Sequence, residues 1–179
     1  MLYNHPNTFK SGTRILLLVN RNKDGTSEKL TITRVSHDIE TFDKKLLELY
    51  NSSNTGSRIY ASASSRDLEK AVRRFKHNQL DADYDANPLD FYKNLNARWV
   101  HALALSESVD KQTKLWMFDC DTEEEYKECL QVLENFAIIE YKYRTKNGNH
   151  ILVKPFNKKM LSTNVSRLLH ENPMILWSY

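Results

Sequence analysis

The chain has 179 residues, of which 40% are hydrophobic and 27% charged, and its formal net charge is +3. A chain of this length can bury a core of its own, and so small a net charge excludes recognition of nucleic acid by overall charge alone. No run approaches the roughly 18 apolar residues of a membrane-spanning helix, and two cysteines are too few for a disulfide framework. We therefore expect a protein of a reducing, intracellular compartment, the cytoplasm, with no membrane partner.

The first half of the chain contains, in order, the two strands of a hairpin, a helix, a strand and two more helices. The predicted segments are 13–20, 29–36, 38–51, 58–64, 65–80 and 89–106. The Asp24-Gly25 pair marks the hairpin turn, because these residues tolerate the positive backbone angles of tight turns. Ser65 is the predicted N-cap of the helix that follows the third strand.

The second half contains a strand, a helix, a two-stranded hairpin, a short helix and a last strand. The predicted segments are 114–120, 122–135, 137–145, 150–156, 162–172 and 174–179. Thr122 is placed to cap the first of these helices, and Asn147-Gly148 marks the hairpin turn. Strands and helices interleave without a long βα rhythm, so we expect an α+β fold. It would have a mixed or antiparallel sheet, with helices packed mainly against one face.

Two carboxylates stand at the end of the apolar run Leu115–Phe118. Side chains two apart on a strand share a face, so Asp119 and Asp121 are expected side by side, with Cys120 buried on the other face. Two such charges repel each other unless a cation lies between them, and oxygen ligands suit Mg²⁺ or Mn²⁺. The alternative is that the strand simply ends here and Asp121 helps to cap the next helix.

A second cluster of polar residues lies in the predicted hairpin. Arg144, Lys146, Gly148 and His150 occupy alternate positions, so extended geometry would place the three charged or polar side chains on one face. Arginine and lysine suit phosphate oxygens, histidine can donate to one, and glycine leaves room for close backbone approach. The alternative is a solvated basic hairpin that protects a sheet edge from aggregation.

Together the two clusters resemble the catalytic core of the archaeo-eukaryotic primase superfamily. The apolar run with Asp119 and Asp121 resembles its hhhDhD motif, and Gly148-Asn149-His150 resembles its small-x-His motif, preceded by Lys146. The resemblance covers 57–179, so we expect this segment to be a primase-like (RRM-like) core. The segment 1–56, a hairpin plus a helix, would pack on it in one compact domain.

The resemblance implies a function and a set of roles. Asp119 and Asp121 would bind Mg²⁺ or Mn²⁺, and His150 would contact the incoming nucleotide together with Lys146, Gly148 and Arg144. The segment from Arg58 onward resembles small primase-like proteins of phages and mobile elements, which would place the chain in a host cytoplasm. Arg58 and Arg66 are further candidates for phosphate contact.

The implied activity is metal-dependent nucleotidyl transfer in DNA replication. Its partners would be a nucleoside triphosphate, a single-stranded DNA or RNA template and other replication proteins. The superfamily also uses a third carboxylate on a later strand. After His150 this chain has one acidic residue, Glu171, which is therefore the candidate third metal ligand.

Three alternatives stay open. A catalytically inactive primase-like protein would bind nucleotides or nucleic acid without joining them, and the missing third carboxylate favours this. A haloacid-dehalogenase-type phosphatase also has an apolar strand with D-x-D-x-T, but Thr122 follows Asp121 directly, so the spacing differs by one residue. A nucleotide-sugar glycosyltransferase also uses D-x-D, but no nucleotide-binding region is recognisable upstream.

Overall fold

The computed structural model describes residues 3–20, 31–83 and 88–178. The chain divides into two compact units, one comprising Met1–Thr113 with Ile175–Tyr179 and the other Lys114–Met174. The predicted α+β class is confirmed. The described strands form two antiparallel sheets of four strands each, rather than the single sheet expected from the sequence.

The strands in chain order are β1 (Arg14–Asn20), β2 (Thr31–Ser36), β3 (Ser57–Ser62), β4 (Trp116–Cys120), β5 (Ile139–Arg144), β6 (Asn149–Val153), β7 (Leu169–His170) and β8 (Met174–Ser178). The α-helices are α1 (Ile39–Asn51), α2 (Leu68–Asp83), α3 (Pro88–Lys93), α4 (Leu95–Ala104), α5 (Glu123–Leu133) and α6 (Thr163–Ser166).

The sheet of the first unit has the order β2-β1-β3-β8. The predicted hairpin is confirmed in its pairing, since β1 and β2 run antiparallel with Leu16 opposite Arg34. Its Asp24-Gly25 turn lies outside the described residues. On its other side β1 pairs with β3, so residues on both sides of the division predicted at 56/57 belong to one sheet.

A buried arginine ties the start of the chain to this sheet. Arg14 is 2% exposed, and its guanidinium donates to the backbone carbonyls of Thr8, Ser11, Ser62 and Ala63 at 2.6–3.2 Å. Burial lowers the pKa of Arg14 to about 10. The N–H groups of the guanidinium thus have carbonyl acceptors, and a charged group can be buried only when its donors are hydrogen-bonded in this way.

Two predictions in the first unit were wrong in detail. Asp67, not Ser65, caps α2: its carboxylate accepts from the backbone N–H of Lys70 at 3.1 Å, while the Ser65 hydroxyl bonds to Asp110 and Thr113. The partners of Ser65 are 45 and 48 residues away in the chain, so a local capping pattern could not predict them.

The second correction concerns the helix predicted over 89–106. It is two helices, α3 and α4, interrupted at Asn94. The Asn94 side chain donates to the backbone carbonyl of Asp90 at 3.2 Å. Such a local side-chain bond competes with the backbone bonds of a continuous helix.

The sheet of the second unit has the order β5-β6-β4-β7, so β4 is an interior strand with the β5–β6 hairpin beside it, as predicted. One face of this sheet carries the core. Its fully or nearly fully buried members come from β4, β6, α5 and α6 and are Trp116, Phe118, Cys120, Cys129, Leu133, Ile151, Val153 and Val165. Even-numbered residues of β4 face this core, which leaves Met117 and Asp119 on the opposite face.

Helix α5 begins directly after the end of β4. Thr122 is its N-cap, as predicted, and its hydroxyl accepts from the backbone N–H of Glu125 at 3.1 Å. The Glu125 carboxylate in return accepts from the N–H groups of Thr122 at 3.3 Å and Asp121 at 3.0 Å. This capping box holds the chain segment that carries Asp121.

The helix predicted over 162–172 is shorter than expected. It ends as α6 at Ser166, and Leu169 and His170 then form the two-residue strand β7 along β4. The backbone N–H of Asp119 also donates to the carbonyl of Leu168 at 3.1 Å. Strand β4 is buried, so the backbone N–H and C=O groups on its edge away from β6 need hydrogen-bond partners. Pairing with β4 therefore outweighs the helical pattern of residues 167–172.

Within residues 3–20, 31–83 and 88–178, no helix is both long and apolar enough to cross a bilayer.

The capping box predicts a measurable contribution to stability. Thr122→Ala should lower the free energy of unfolding by about 1 kcal/mol, because the Glu125 N–H loses its acceptor. Urea unfolding followed by circular dichroism measures this loss. Thr122→Ser keeps the hydroxyl and is the matched control, so an equal loss in both variants would contradict the capping role.

Candidate functional site

Three side chains from neighbouring strands meet on the face of the second sheet opposite its core. Asp119 of β4 lies opposite His150 of β6, which lies opposite Tyr143 of β5. The His150 ring makes two bonds, from Nε2 to Asp119 Oδ1 at 2.9 Å and between Nδ1 and the Tyr143 hydroxyl at 2.6 Å. The His150 side chain is 12% exposed and that of Asp119 is 41% exposed, so Asp119 is the member open to solvent.

The ionisation of Asp119 determines which atoms of Asp119, His150 and Tyr143 donate and which accept. The hydrogen bond from His150 holds the pKa of Asp119 below its ordinary value, against the opposing effect of burial. Asp119 is therefore ionised near neutral pH and can only accept, so Nε2 of His150 carries the proton and donates. In the neutral imidazole, Nδ1 is then an acceptor and the Tyr143 hydroxyl donates to it.

A second histidine lies on the same face. His170 of β7 is opposite Met117 of β4, two residues before Asp119, and it is exposed. Its positive charge when protonated also contributes to lowering the pKa of Asp119. This end of the sheet therefore combines one carboxylate with two histidines.

Gly148 lies against the end of β4, in the turn before β6. A Cβ built on it would be 2.2 Å from the backbone oxygen of Cys120 and 3.0 Å from Cα of Asp121. No side-chain rotation can relieve a clash with backbone, so the position accepts no larger residue without movement. The backbone at Gly148 thus lies close against the backbone that carries the aspartates. The predicted approach of Gly148 to a nucleotide stays a prediction.

Asp121 lies one residue beyond the end of β4 and is exposed. Strand alternation therefore does not set its direction, unlike that of Asp119. Its backbone is held by Glu125. Asp119 and Cys120 were predicted to lie on opposite faces of the strand. This is confirmed, since Cys120 is fully buried in the core and Asp119 lies on the other face.

The predicted common face for Arg144, Lys146 and His150 was wrong for Arg144. Arg144 lies opposite Asn149, and so its side chain is on the face opposite to that of His150. The chain reverses direction at 145–148, and across this turn an even-numbered residue of β5 shares a face with odd-numbered residues of β6. Lys146 lies exposed in the turn itself.

Glu171, the candidate third carboxylate, forms an ion pair with Lys158. It follows His170 directly, just beyond the end of β7. Among the described residues, no group of three or more His, Cys, Asp or Glu side chains is arranged to hold a metal ion.

The two arginines proposed upstream both lie in the first unit. Arg58 is a half-buried residue of β3, and Arg66 is 5% exposed. Burial lowers the pKa of Arg66 to about 10. A phosphate-binding role for either arginine stays a prediction.

The two cysteines next to the site lie in the core of the second unit. Cys120 and Cys129 are both fully buried and not joined by a disulfide. Contact with Cys129 and burial raise the pKa of Cys120. Its thiol therefore stays neutral, as expected of a small apolar core residue.

Two residues of this site were not selected from the sequence. Tyr143 could have been found by counting across the Asn147-Gly148 turn, because the hairpin register places it opposite His150. His170 had no comparable signal, since β7 is only two residues long.

No family model, no curated protein and no solved structure matches this chain.

The contact at Gly148 predicts a large response to the smallest substitution. Gly148→Ala should lower the free energy of unfolding by about 1–3 kcal/mol, because the added methyl forces backbone of the turn and of β4 apart. Asn147→Ala, an exposed change in the same turn, should cost less than about 0.5 kcal/mol. Equal stabilities of Gly148→Ala and the unchanged protein, measured by urea unfolding, would contradict this close approach of the two backbones.

The Asp119–His150 bond predicts a dependence of stability on pH. A carboxyl whose pKa is lowered on folding stabilises the fold above its unfolded value of about 3.9, and this contribution disappears as pH falls through the folded value. The stability advantage of the unchanged protein over Asp119→Asn should thus be complete above about pH 5 and shrink below about pH 4.

The matched comparison is the same Asp119→Asn change made in a His150→Ala background. There the pH-dependent difference should largely vanish, since the donor is absent. A difference that persists unchanged would mean that another group lowers the pKa of Asp119.

Proposed function

We propose that the second unit carries a nucleotide site of the primase type, and that the chain is a metal-dependent nucleotidyl transferase. Its substrates would be a nucleoside triphosphate and a single-stranded DNA or RNA template. One observation carries the proposal: Asp119 and His150 lie directly opposite each other on one sheet face, with their side chains 2.9 Å apart.

The order of elements supports the same proposal. An apolar strand ends at Asp119, a capped helix follows directly, and a hairpin then returns His150 beside Asp119. This is the arrangement that the resemblance to the archaeo-eukaryotic primase superfamily implies for its two motifs. Gly148 supports it too, since its contact with Cys120 brings the hairpin turn to the strand end.

The donor set fits Mg²⁺ or Mn²⁺. Asp119 and Asp121 offer hard carboxylate oxygens and are both accessible to solvent. Mg²⁺ is commonly held by one or two carboxylates together with substrate phosphates and water, so two protein ligands suffice. The metal would neutralise phosphate charge and activate an attacking hydroxyl.

The chain's own residues would bind and orient the triphosphate. His150 Nε2–H donates to a carboxylate oxygen in the free protein, and a phosphate oxygen is an acceptor of the same kind. Tyr143 holds the other ring nitrogen, which keeps the donor on Nε2. Lys146, exposed in the turn beside Gly148, would supply positive charge to the phosphates.

A second candidate function is binding without catalysis. The observation that favours it is the ion pair between Glu171 and Lys158, because a carboxylate engaged with lysine is poorly placed to be the third metal ligand. With two carboxylates alone, the site would hold a metal–triphosphate complex with less control over the attacking hydroxyl. The same fold would then serve as a nucleotide- or nucleic-acid-binding module.

Calorimetry of nucleoside triphosphate binding with and without Mn²⁺ tests the proposal. Binding should require Mn²⁺, and the double change Asp119→Asn with Asp121→Asn should abolish it. His150→Ala should weaken triphosphate binding by about tenfold or more, the value of one charge-assisted hydrogen bond. Monophosphate binding should suffer less, because fewer phosphate oxygens are lost.

The matched control is His101→Ala, which removes an exposed histidine on α4. Its triphosphate affinity should equal that of the unchanged protein. Loss of binding in both histidine variants, or no binding by the unchanged protein, would contradict the nucleotide site.

A primer-synthesis assay on single-stranded DNA separates the two candidates. A transferase should initiate or extend a strand, and Asp119→Ala should abolish the product. Triphosphate binding without product on any template would support the binding module instead.

A further inference from the structure

Strand β5 carries an alternation of aromatic and basic residues, Tyr141-Lys142-Tyr143-Arg144. Because side chains alternate along a strand, the two tyrosines share one face and the two cations share the other. The tyrosine rings are stacked, with centroids 5.7 Å apart and planes at 21°. Both side chains are half-buried, so part of each ring is open to solvent.

This tyrosine pair is continuous with the candidate site. Tyr143 lies opposite His150, its hydroxyl bonds to Nδ1, and its ring meets the imidazole edge-on with centroids 4.8 Å apart. The next aromatic ring on the same face is Tyr141. The three rings therefore form a row that begins beside Asp119 and leads along the edge strand β5.

The hairpin that carries this row is rich in positive charge. The hairpin 139–154 contains four cations and one carboxylate, that of Glu140. Glu140 lies within 3.6 Å of Lys154. The other three cations, Lys142, Arg144 and Lys146, are exposed on the outer strand and its turn. An edge strand lets such long side chains reach past the sheet toward a chain lying along it.

We infer that Tyr141 and Tyr143 are a stacking surface for the bases of single-stranded nucleic acid, whose phosphates lie along Lys142, Arg144 and Lys146. This rests on the proposed function and names where its template would bind. Aromatic rings beside cations are the combination by which proteins hold single strands with little sequence preference. A duplex is a poorer fit, because its bases are already stacked on each other.

A purely structural role for the tyrosines predicts different behaviour. Stacked aromatic residues on one strand stabilise a sheet by packing alone. Their removal would then change stability and would affect any ligand equally. Base stacking predicts a loss confined to ligands that have bases.

Fluorescence anisotropy with the full chain at low salt, without metal or triphosphate, tests the inference. The probes are a labelled oligothymidylate of about 12 nucleotides and an abasic strand of equal length. Tyr141→Leu should weaken oligothymidylate binding by about fivefold or more and leave abasic binding unchanged. Tyr141→Phe keeps the ring and should bind like the unchanged protein.

The matched control is Tyr50→Ala, which removes an exposed tyrosine from α1 and should leave both affinities unchanged. Equal weakening of both strands by Tyr141→Leu, or equal oligothymidylate affinity in the Leu and Phe variants, would overturn the stacking role. So would the absence of oligothymidylate binding by the unchanged protein.

Photocrosslinking uses the unchanged protein, so its result does not depend on whether a variant folds. A strand containing 5-iodouracil, bound to the unchanged protein and irradiated, should form adducts at Tyr141 or Tyr143, located by mass spectrometry. Adducts confined to other segments would overturn the inference. Failure of metal-dependent triphosphate binding would remove the proposed function alone, while crosslinking at these tyrosines would still establish a single-strand-binding surface.

Discussion

The antiparallel register of β4 and β6 is the constraint on which the candidate site depends. It places Asp119 opposite His150, and a slip of one residue would move His150 to the core face. Two features hold this register from opposite sides. The buried side chains of both strands must face the core, and Gly148 lets the turn meet the backbone of Cys120, where any Cβ would collide.

In the proposed function, Asp119 meets two demands at once. It accepts a hydrogen bond from His150, which lowers its pKa and keeps it ionised, and it remains accessible enough to serve as a metal ligand. An ionised carboxylate is what a hard divalent cation requires. The hydrogen bond from His150 therefore keeps Asp119 ionised in the free protein, and Tyr143 in turn orients that histidine. In the proposed function, Nε2–H would pass from Asp119 to a phosphate oxygen when the triphosphate binds. Glu171, the candidate third carboxylate, forms an ion pair with Lys158 instead.

Local sequence signals predicted the parts of the site that form locally. The apolar run indicated β4, the Thr122 cap predicted the start of α5, and Asn147-Gly148 predicted the hairpin that returns His150 beside Asp119. Each of these depends on residues close together in the chain.

The missed strand partners depend on distant pairing, whereas the missed face of Arg144 depends on a turn. Separation into two sheets, with β8 beside β3, involves strands more than 100 residues apart, and periodicity carries no information about such partners. Strand β7 exists because β4 needs a partner, and so the position of His170 could not be inferred from its own neighbourhood. The face of Arg144 was misjudged because alternation was counted through a turn, where it does not hold.

A crystal structure of the chain soaked with a nucleoside triphosphate and Mn²⁺ is the sharpest test of the nucleotide site. Metal density should be bound by Asp119 and Asp121, with a phosphate oxygen within hydrogen-bonding distance of His150 Nε2. Triphosphate and metal bound elsewhere on the chain, with the Asp119–His150 bond intact, would contradict it.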